Sequence, residues 1–318
     1  MPKKRYFLRL RRWLNFDAYL LKFKSWLKQK ARKALGIESF DPAAYNLLFE
    51  VADMIENKRT LLIPRIASVD ETIDELLRTE KSLTRFGDGE FKIMFLSGQI
   101  GFQQRDALLI ERLREVLTSS SPDLMIGLIN FFGMQGAQSN WRDFVGKLRD
   151  HINPFLDATK QYYDTGVTRD MTSPEHFQNL KKIWAGKNVV TIEGTMTRLG
   201  VGNDLFDNVA SLRRILAPAE CAFSAYDRIL EAALKTDKSD LFLLALGPTA
   251  TVLAFDLCKA GHRAIDIGHL DICYECFLRN TTKVVAIEGK YVNEASYRSP
   301  SPCVDPTYLS QIIDEVTL

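Results

Sequence analysis

From residue 68 to residue 268 the chain alternates two patterns. Short, wholly apolar runs give way to longer segments whose apolar positions recur every three or four residues. The first pattern is that of strands buried on both faces, the second that of helices with one buried face. Strands are expected within 82–90, which then turns, and over 124–129, 161–169, 189–192, 211–216, 241–246 and 263–267. Helices are expected over 43–57, 68–80, from the turn at 90 to about residue 96, and over 106–117, 140–156, 222–234 and 249–260. A further helix starts at Ser173-Pro174-Glu175, with Ser as cap and Pro in the first turn. Ser68 and Glu71 form a capping box. Strands alternating with helices imply an α/β layer fold with a largely parallel sheet. No repeat or low-complexity linker interrupts 43–290, so 41–318 reads as one domain. The stretch from Lys290 is polar and contains Pro, and is expected to wrap the surface.

Charge separates off the first 40 residues. Residues 1–35 hold twelve Lys or Arg against one acid, Asp17, a net +11; the chain as a whole carries +2, so the remainder carries −9. Trp13, Trp26 and several Phe and Leu residues are interleaved with these cations at near-helical spacing. Such an amphipathic basic helix suits an anionic membrane surface. Packing against the body or against a second copy of the chain is the alternative. RNA binding is a third reading, disfavoured because no recognised nucleic-acid module accompanies the segment.

Composition, with 46% hydrophobic and 26% charged residues, is that of a globular protein with ample core. No apolar run reaches the roughly 20 residues of a spanning helix, and no signal-peptide pattern opens the chain. Five cysteines are an odd number and poor material for a disulfide framework. Together these point to the cytoplasm, with a peripheral place on the inner face of the cell membrane if the leader binds lipid.

Four expected strand ends carry unusual chemistry. In open α/β sheets ligands sit outside the carboxyl ends of the strands. The first end is Arg85-Phe86-Gly87-Asp88-Gly89-Glu90. Its helix start attracts anions while its two acids repel them, a conflict that a divalent cation between carboxylates and phosphates resolves. The second is the Gly-rich loop Glu193 to Asp204, with Arg198, Gly200, Gly202 and Asn203. The third is Gly247-Pro248-Thr249-Ala250-Thr251, and the fourth Asp266-Ile267-Gly268-His269-Leu270-Asp271. Each alone is a common connection; four at one sheet edge suit a nucleotide-activated substrate. No G-x-G-x-x-G or Walker-type loop occurs, which disfavours dinucleotide and ATPase classes. Cys273-x-x-Cys276 has no second pair and makes no four-cysteine zinc site. Of the four histidines, His151, His176 and His262 read as solvated or structural, and His269 as a site residue.

These four ordered blocks, with Leu205-Phe206 closing the second and Val252-Leu253-Ala254 extending the third, resemble the GT-D type glycosyltransferases, once filed as a bacterial domain of unknown function. The resemblance spans roughly residues 70–280. It implies a Rossmann-like fold, a UDP-sugar donor, and acceptors among bacterial surface glycans, glycolipids and glycoproteins. It also implies that Asp88 and Glu90, the D-x-E pair, hold a divalent metal (Mn²⁺ or Mg²⁺). Arg85, Gly87, Gly89, Arg198, Gly200, Gly202, Asn203, Asp204, Gly247, Thr249 and Thr251 are then the expected nucleotide-binding residues. Asp266, His269, Asp271 and Glu275 are the candidates for moving the acceptor's proton. The competing readings are a non-catalytic nucleotide-sugar-binding module and a nucleotide-sugar hydrolase.

Overall fold

The computed structural model describes residues 65–96, 102–129, 148, 151–297 and 300–318. The chain divides into two units, Leu62–Asn130 with His151–Leu318, and Met1–Leu61 with Phe131–Asp150. The architecture below is that of the first. The expected leader helix, the helix over 43–57, the domain boundary near residue 40 and most of the helix over 140–156 lie outside the described residues.

Nine strands form one sheet among the described residues: β1 Arg65–Ile66, β2 Ser82–Phe86, β3 Leu124–Leu128, β4 Gln161–Asp164, β5 Asn188–Gly194, β6 Ser211–Ala217, β7 Leu241–Ala245, β8 Arg263–Asp266 and β9 Ile312–Glu315. Every pairing is parallel, in the order β1-β4-β3-β2-β8-β7-β5-β6-β9. The helices are α1 Val69–Arg78, α2 Asp88–Phe95, α3 Ala107–Thr118, α4 Pro174–Trp184, α5 Tyr226–Leu234, α6 Pro248–Lys259, α7 Leu270–Leu278 and α8 Pro306–Gln311. No helix among the described residues is long and apolar enough to cross a membrane.

The apolar runs are strands because parallel strands are covered on both faces. All five residues of β2 and of β3 are buried. Leu83, Met125, Val189, Leu241, Leu243 and Ile265 from the sheet join Ile73, Leu76, Phe177, Leu180 and Trp184 from α1 and α4 in one cluster. Burying each such side chain contributes about 1.5–3 kcal/mol. The Trp184 indole N–H donates to the Leu205 carbonyl at 3.0 Å, which satisfies the one polar atom that it brings inside.

Local signals fix the helix starts. Ser68 Oγ accepts from Glu71 N at 3.2 Å, and the Glu71 carboxylate accepts from Ser68 N at 2.7 Å, the expected capping box. Ser173 caps α4, with Pro174 in its first turn.

Three elements differ from expectation. The strand over 161–169 ends at Asp164, whose carboxylate accepts from Gly166 N at 2.7 Å and turns the chain into a 3₁₀ segment, Thr165–Thr168. The stretch after Asp271, to which the sequence pattern assigned no element, is α7, buried at seven of its nine positions and so without an apolar stripe to reveal it. The tail does more than wrap the surface. It ends in α8 and in β9, which pairs with β6 at the sheet edge.

The four motif-bearing strand ends belong to β2, β8, β7 and β5, which are consecutive in the sheet. Because all are parallel, their carboxyl ends share one edge. From β5 the chain moves outward to β6, and from β7 the opposite way to β8, so the loops part between them. A crevice outside the carboxyl ends is where such sheets bind ligands.

Candidate active site

At the end of β2 the chain turns through Gly87 into α2. Glu90 folds back so that its carboxylate accepts from Gly87 N at 2.7 Å. That places the Glu90 side chain inside the molecule while Asp88 stays partly exposed, its carboxylate 2.5 Å from Lys92 Nζ. Burial pushes Glu90 up to about 7, and the negative charge of Asp266 pushes the same way against the pull of Arg85.

Asp266 ends β8 and faces this turn. Its oxygens accept from Gly268 N at 3.1 Å and from the Thr251 hydroxyl at 3.2 Å. Burial pushes it up to about 6, although Arg85, with Nη1 at 3.7 Å, works against the shift. Gly268 has φ +47, and a Cβ there would overlap the Arg85 guanidinium. Glycine is therefore required twice over, for the backbone angle and for the close approach. His269 follows. Burial first, and then the Arg169 charge, pushes its imidazole down to about 4, against the pull of Glu294, whose carboxylate is 3.7 Å from Nδ1. Burial works to raise the Glu294 carboxyl, but His269 and Arg169 hold it below the usual range.

The Gly-rich loop after β5 behaves differently from expectation. Arg198 has φ +55, is buried, and donates to the carbonyls of Gly289 and Ser301. Its guanidinium fastens the tail instead of standing open to phosphate. Asp271 accepts from Gly200 N at 3.0 Å, Asn203 Nδ2 at 2.9 Å and Lys290 Nζ at 2.7 Å. Glu275 accepts from Asn203 at 2.7 Å, from Lys290 at 3.1 Å and from Arg279. Burial would raise Glu275, yet Asn203, Lys290 and Arg279 hold it below its ordinary value. Asp271, Glu275 and Asn203 thus form a closed structural network around Lys290. Asp204 is committed elsewhere, accepting from Lys181 at 2.6 Å and the Tyr274 hydroxyl at 2.5 Å. Gly200 has φ +71 with Phe206 packed against it, whereas Gly202 has φ +80 and open space around it. Both line a cavity of about 320 Å³, together with Arg214, Thr307 and Tyr308.

After β7, Gly247 has φ +56 and lies against the Phe102 ring. Thr249 and Thr251 are buried and point inward. Thr251 donates to the Arg85 carbonyl at 2.9 Å, and Thr249 to Gln103 at 3.4 Å. These hydroxyls hold the floor of the site. Gly89 is close to Pro248, so the two helix starts meet.

The structure therefore brings together Arg85, Gly87, Asp88, Gly89, Glu90, Asp266 and His269. It adds Arg169 and Glu294, which sequence reasoning missed; the two pair at 3.0 Å. Arg169 follows the 3₁₀ segment after β4, and being past a strand end was its only available signal. Among the described residues no group of three His, Cys, Asp or Glu could hold a metal by itself. Asp88 and Glu90 would give a divalent ion one or two carboxylates. Substrate phosphates and water would complete the shell, as is usual for Mg²⁺ at phosphate sites. The donor set fits that role.

Comparison with known proteins places the fold. Residues 83–295 match the family model described as the glycosyltransferase GT-D fold. A probable glycosyl transferase Gly of Streptococcus gordonii is 35% identical over 264 residues, 78% of this chain and 38% of its own length. Glycosyltransferase GlyD of Streptococcus pneumoniae serotype 4 is 32% identical over 279 residues, 83% of this chain and 34% of its own. The chain thus spans little more than a third of these curated relatives. A solved structure of domain of unknown function 1792, described as having a distinct glycosyltransferase fold, superposes with a TM-score of 0.75 at 30% identity, covering 80% of this chain and 97% of that one. A structure described as a new glycosyltransferase from Streptococcus sanguinis gives 0.73 at 30% identity, covering 80% and 100%.

Proposed function

The chain belongs to the GT-D glycosyltransferase family, and on that premise we propose that it moves a sugar from a UDP-sugar donor to a hydroxyl of a bacterial glycan, glycolipid or glycoprotein. The observation that carries this reading is the convergence of Arg85, Glu90, Asp266 and His269 at the carboxyl ends of adjacent strands β2 and β8. Asp88 and Glu90 would hold a divalent metal, which when bound supplies Lewis-acid stabilisation of the leaving diphosphate. Arg85 balances the two buried acids and keeps them in place. Asp266 has both oxygens occupied and orients Arg85 and the Gly268 turn. His269 keeps a quarter of its side chain accessible and stays neutral, so it can accept the proton of an acceptor hydroxyl at Nε2, while the buried Nδ1 faces Glu294.

The test is a screen of UDP-sugars, with Mn²⁺ or Mg²⁺, for protection against thermal unfolding, followed by measurement of UDP release with and without acceptor. A transferase releases UDP faster when acceptor is present. Equal release without acceptor would make the protein a hydrolase, and protection without turnover a binding module.

A further inference from the structure

We infer that Arg169 is the cation that meets the diphosphate of the donor, an assignment that rests on the donor reading above. Among the described residues, the other cations near this edge have partners that keep them from an incoming phosphate. Arg198 serves two tail carbonyls. Lys290 is buried between Asp271 and Glu275. Lys181 is held by Asp204 and Tyr274, and Lys92 pairs with Asp88. Arg85 is buried beneath Gly268 and faces Asp266 and Glu90.

Arg169 is different in place and in its planar fork of donors. Its side chain is 38% accessible, and its ion pair with Glu294 uses Nη1, on one side of a planar fork with five donors. Its partner Glu294 also lies 3.7 Å from His269 Nδ1, which sets Arg169 beside the end of β8, where the acids converge. A planar guanidinium beside a carboxylate pair is suited to bidentate recognition of phosphate oxygens. Its pairing with Glu294 also sets the fork's orientation before any ligand arrives. The segment 293–295 that carries Glu294 thereby becomes part of the donor site.

The test compares UDP with uridine by calorimetry, in Mg²⁺, for the unaltered chain and for Arg169→Ala, Arg169→Lys and Glu294→Gln. The expected result is UDP affinity reduced roughly ten- to a hundredfold in Arg169→Ala, the loss of a charge-assisted hydrogen bond. Uridine affinity should stay unchanged, Arg169→Lys should recover part of the loss, and Glu294→Gln should keep the preference for UDP. Unchanged UDP affinity in Arg169→Ala overturns the assignment while leaving the donor reading standing. Equal loss for UDP and uridine, or Glu294→Gln matching Arg169→Ala, also overturns it, because the pair would then only fasten segment 293–295. An unaltered chain that binds neither ligand overturns the donor reading and the assignment with it.

Discussion

His269 and Gly268 define the site at the scale of single residues. Because burial and Arg169 disfavour the imidazolium, His269 should remain neutral as pH falls through the usual histidine range. Its ring-proton chemical shifts should stay constant from about pH 8 to about pH 5. The linked stability follows in sign. Protonation is easier in the unfolded chain, so this residue's contribution is complete above pH about 6.5 and is lost as pH falls towards 4. A His269 that titrates at about 6.5 would contradict the geometry. Gly268→Ala tests the neighbouring contact. The new Cβ displaces Arg85 and strains φ, at a cost of about 1–3 kcal/mol. Urea denaturation should show that loss, and turnover should fall further than stability alone explains. Wild-type turnover in this variant would mean that Arg85 has no part in the reaction.

At the scale of elements, the join between α7, the Gly-rich loop and the tail depends on Lys290. Lys290→Met leaves Asp271 and Glu275 buried without their ammonium partner, and breaking such a pair costs about 3–5 kcal/mol. Chemical denaturation should show a loss of that size, and a loss below about 1 kcal/mol would mean that the network is not closed in solution. This join also marks where sequence reasoning stopped. Signals spanning three or four residues were legible: the Ser68 and Glu71 box, the Ser173 cap, the apolar runs of β3 and β7. The shared carboxyl edge of four motif-bearing strands was legible too, because parallel alternation dictates it. Arg198 was read as a phosphate ligand because its partners, the carbonyls of Gly289 and Ser301, are about a hundred positions away. Asp271 and Glu275 were read as acid–base candidates for the same reason. Their cation, Lys290, belonged to a tail whose polar composition concealed one buried lysine. Gly202 has φ +80 with open space around it, so within the protein its backbone angle is what requires glycine.

For the whole molecule, charge is the feature that divides the chain. A leader of net +11 ahead of a body of net −9 should bind anionic vesicles in a salt-dependent way. Each basic residue near such a surface contributes on the order of 1 kcal/mol, screened over about 10 Å at 0.1 M salt. We predict co-sedimentation of the full chain with phosphatidylserine vesicles that weakens as salt rises, and its loss when leader Lys and Arg residues are replaced by Glu. A full chain that ignores such vesicles at low salt would leave the leader to packing or to a second copy of the chain.

The adjacency of β2 and β8 has a consequence in time as well as in space. Ala264 N reaches Ser82 Oγ across 182 positions of sequence, and Arg85 meets Asp266 by the same closure. Until β8 has been synthesised, the hexapeptide at the end of β2 has no acid opposite it and its strand lacks a neighbour on that side. Pairings of such separation form slowly and leave strand edges open meanwhile. A nascent chain released before residue 266 therefore carries every residue of the first motif and no site. The candidate site is therefore complete only once β8 has been made, and until then the unfinished sheet keeps an open edge at β2.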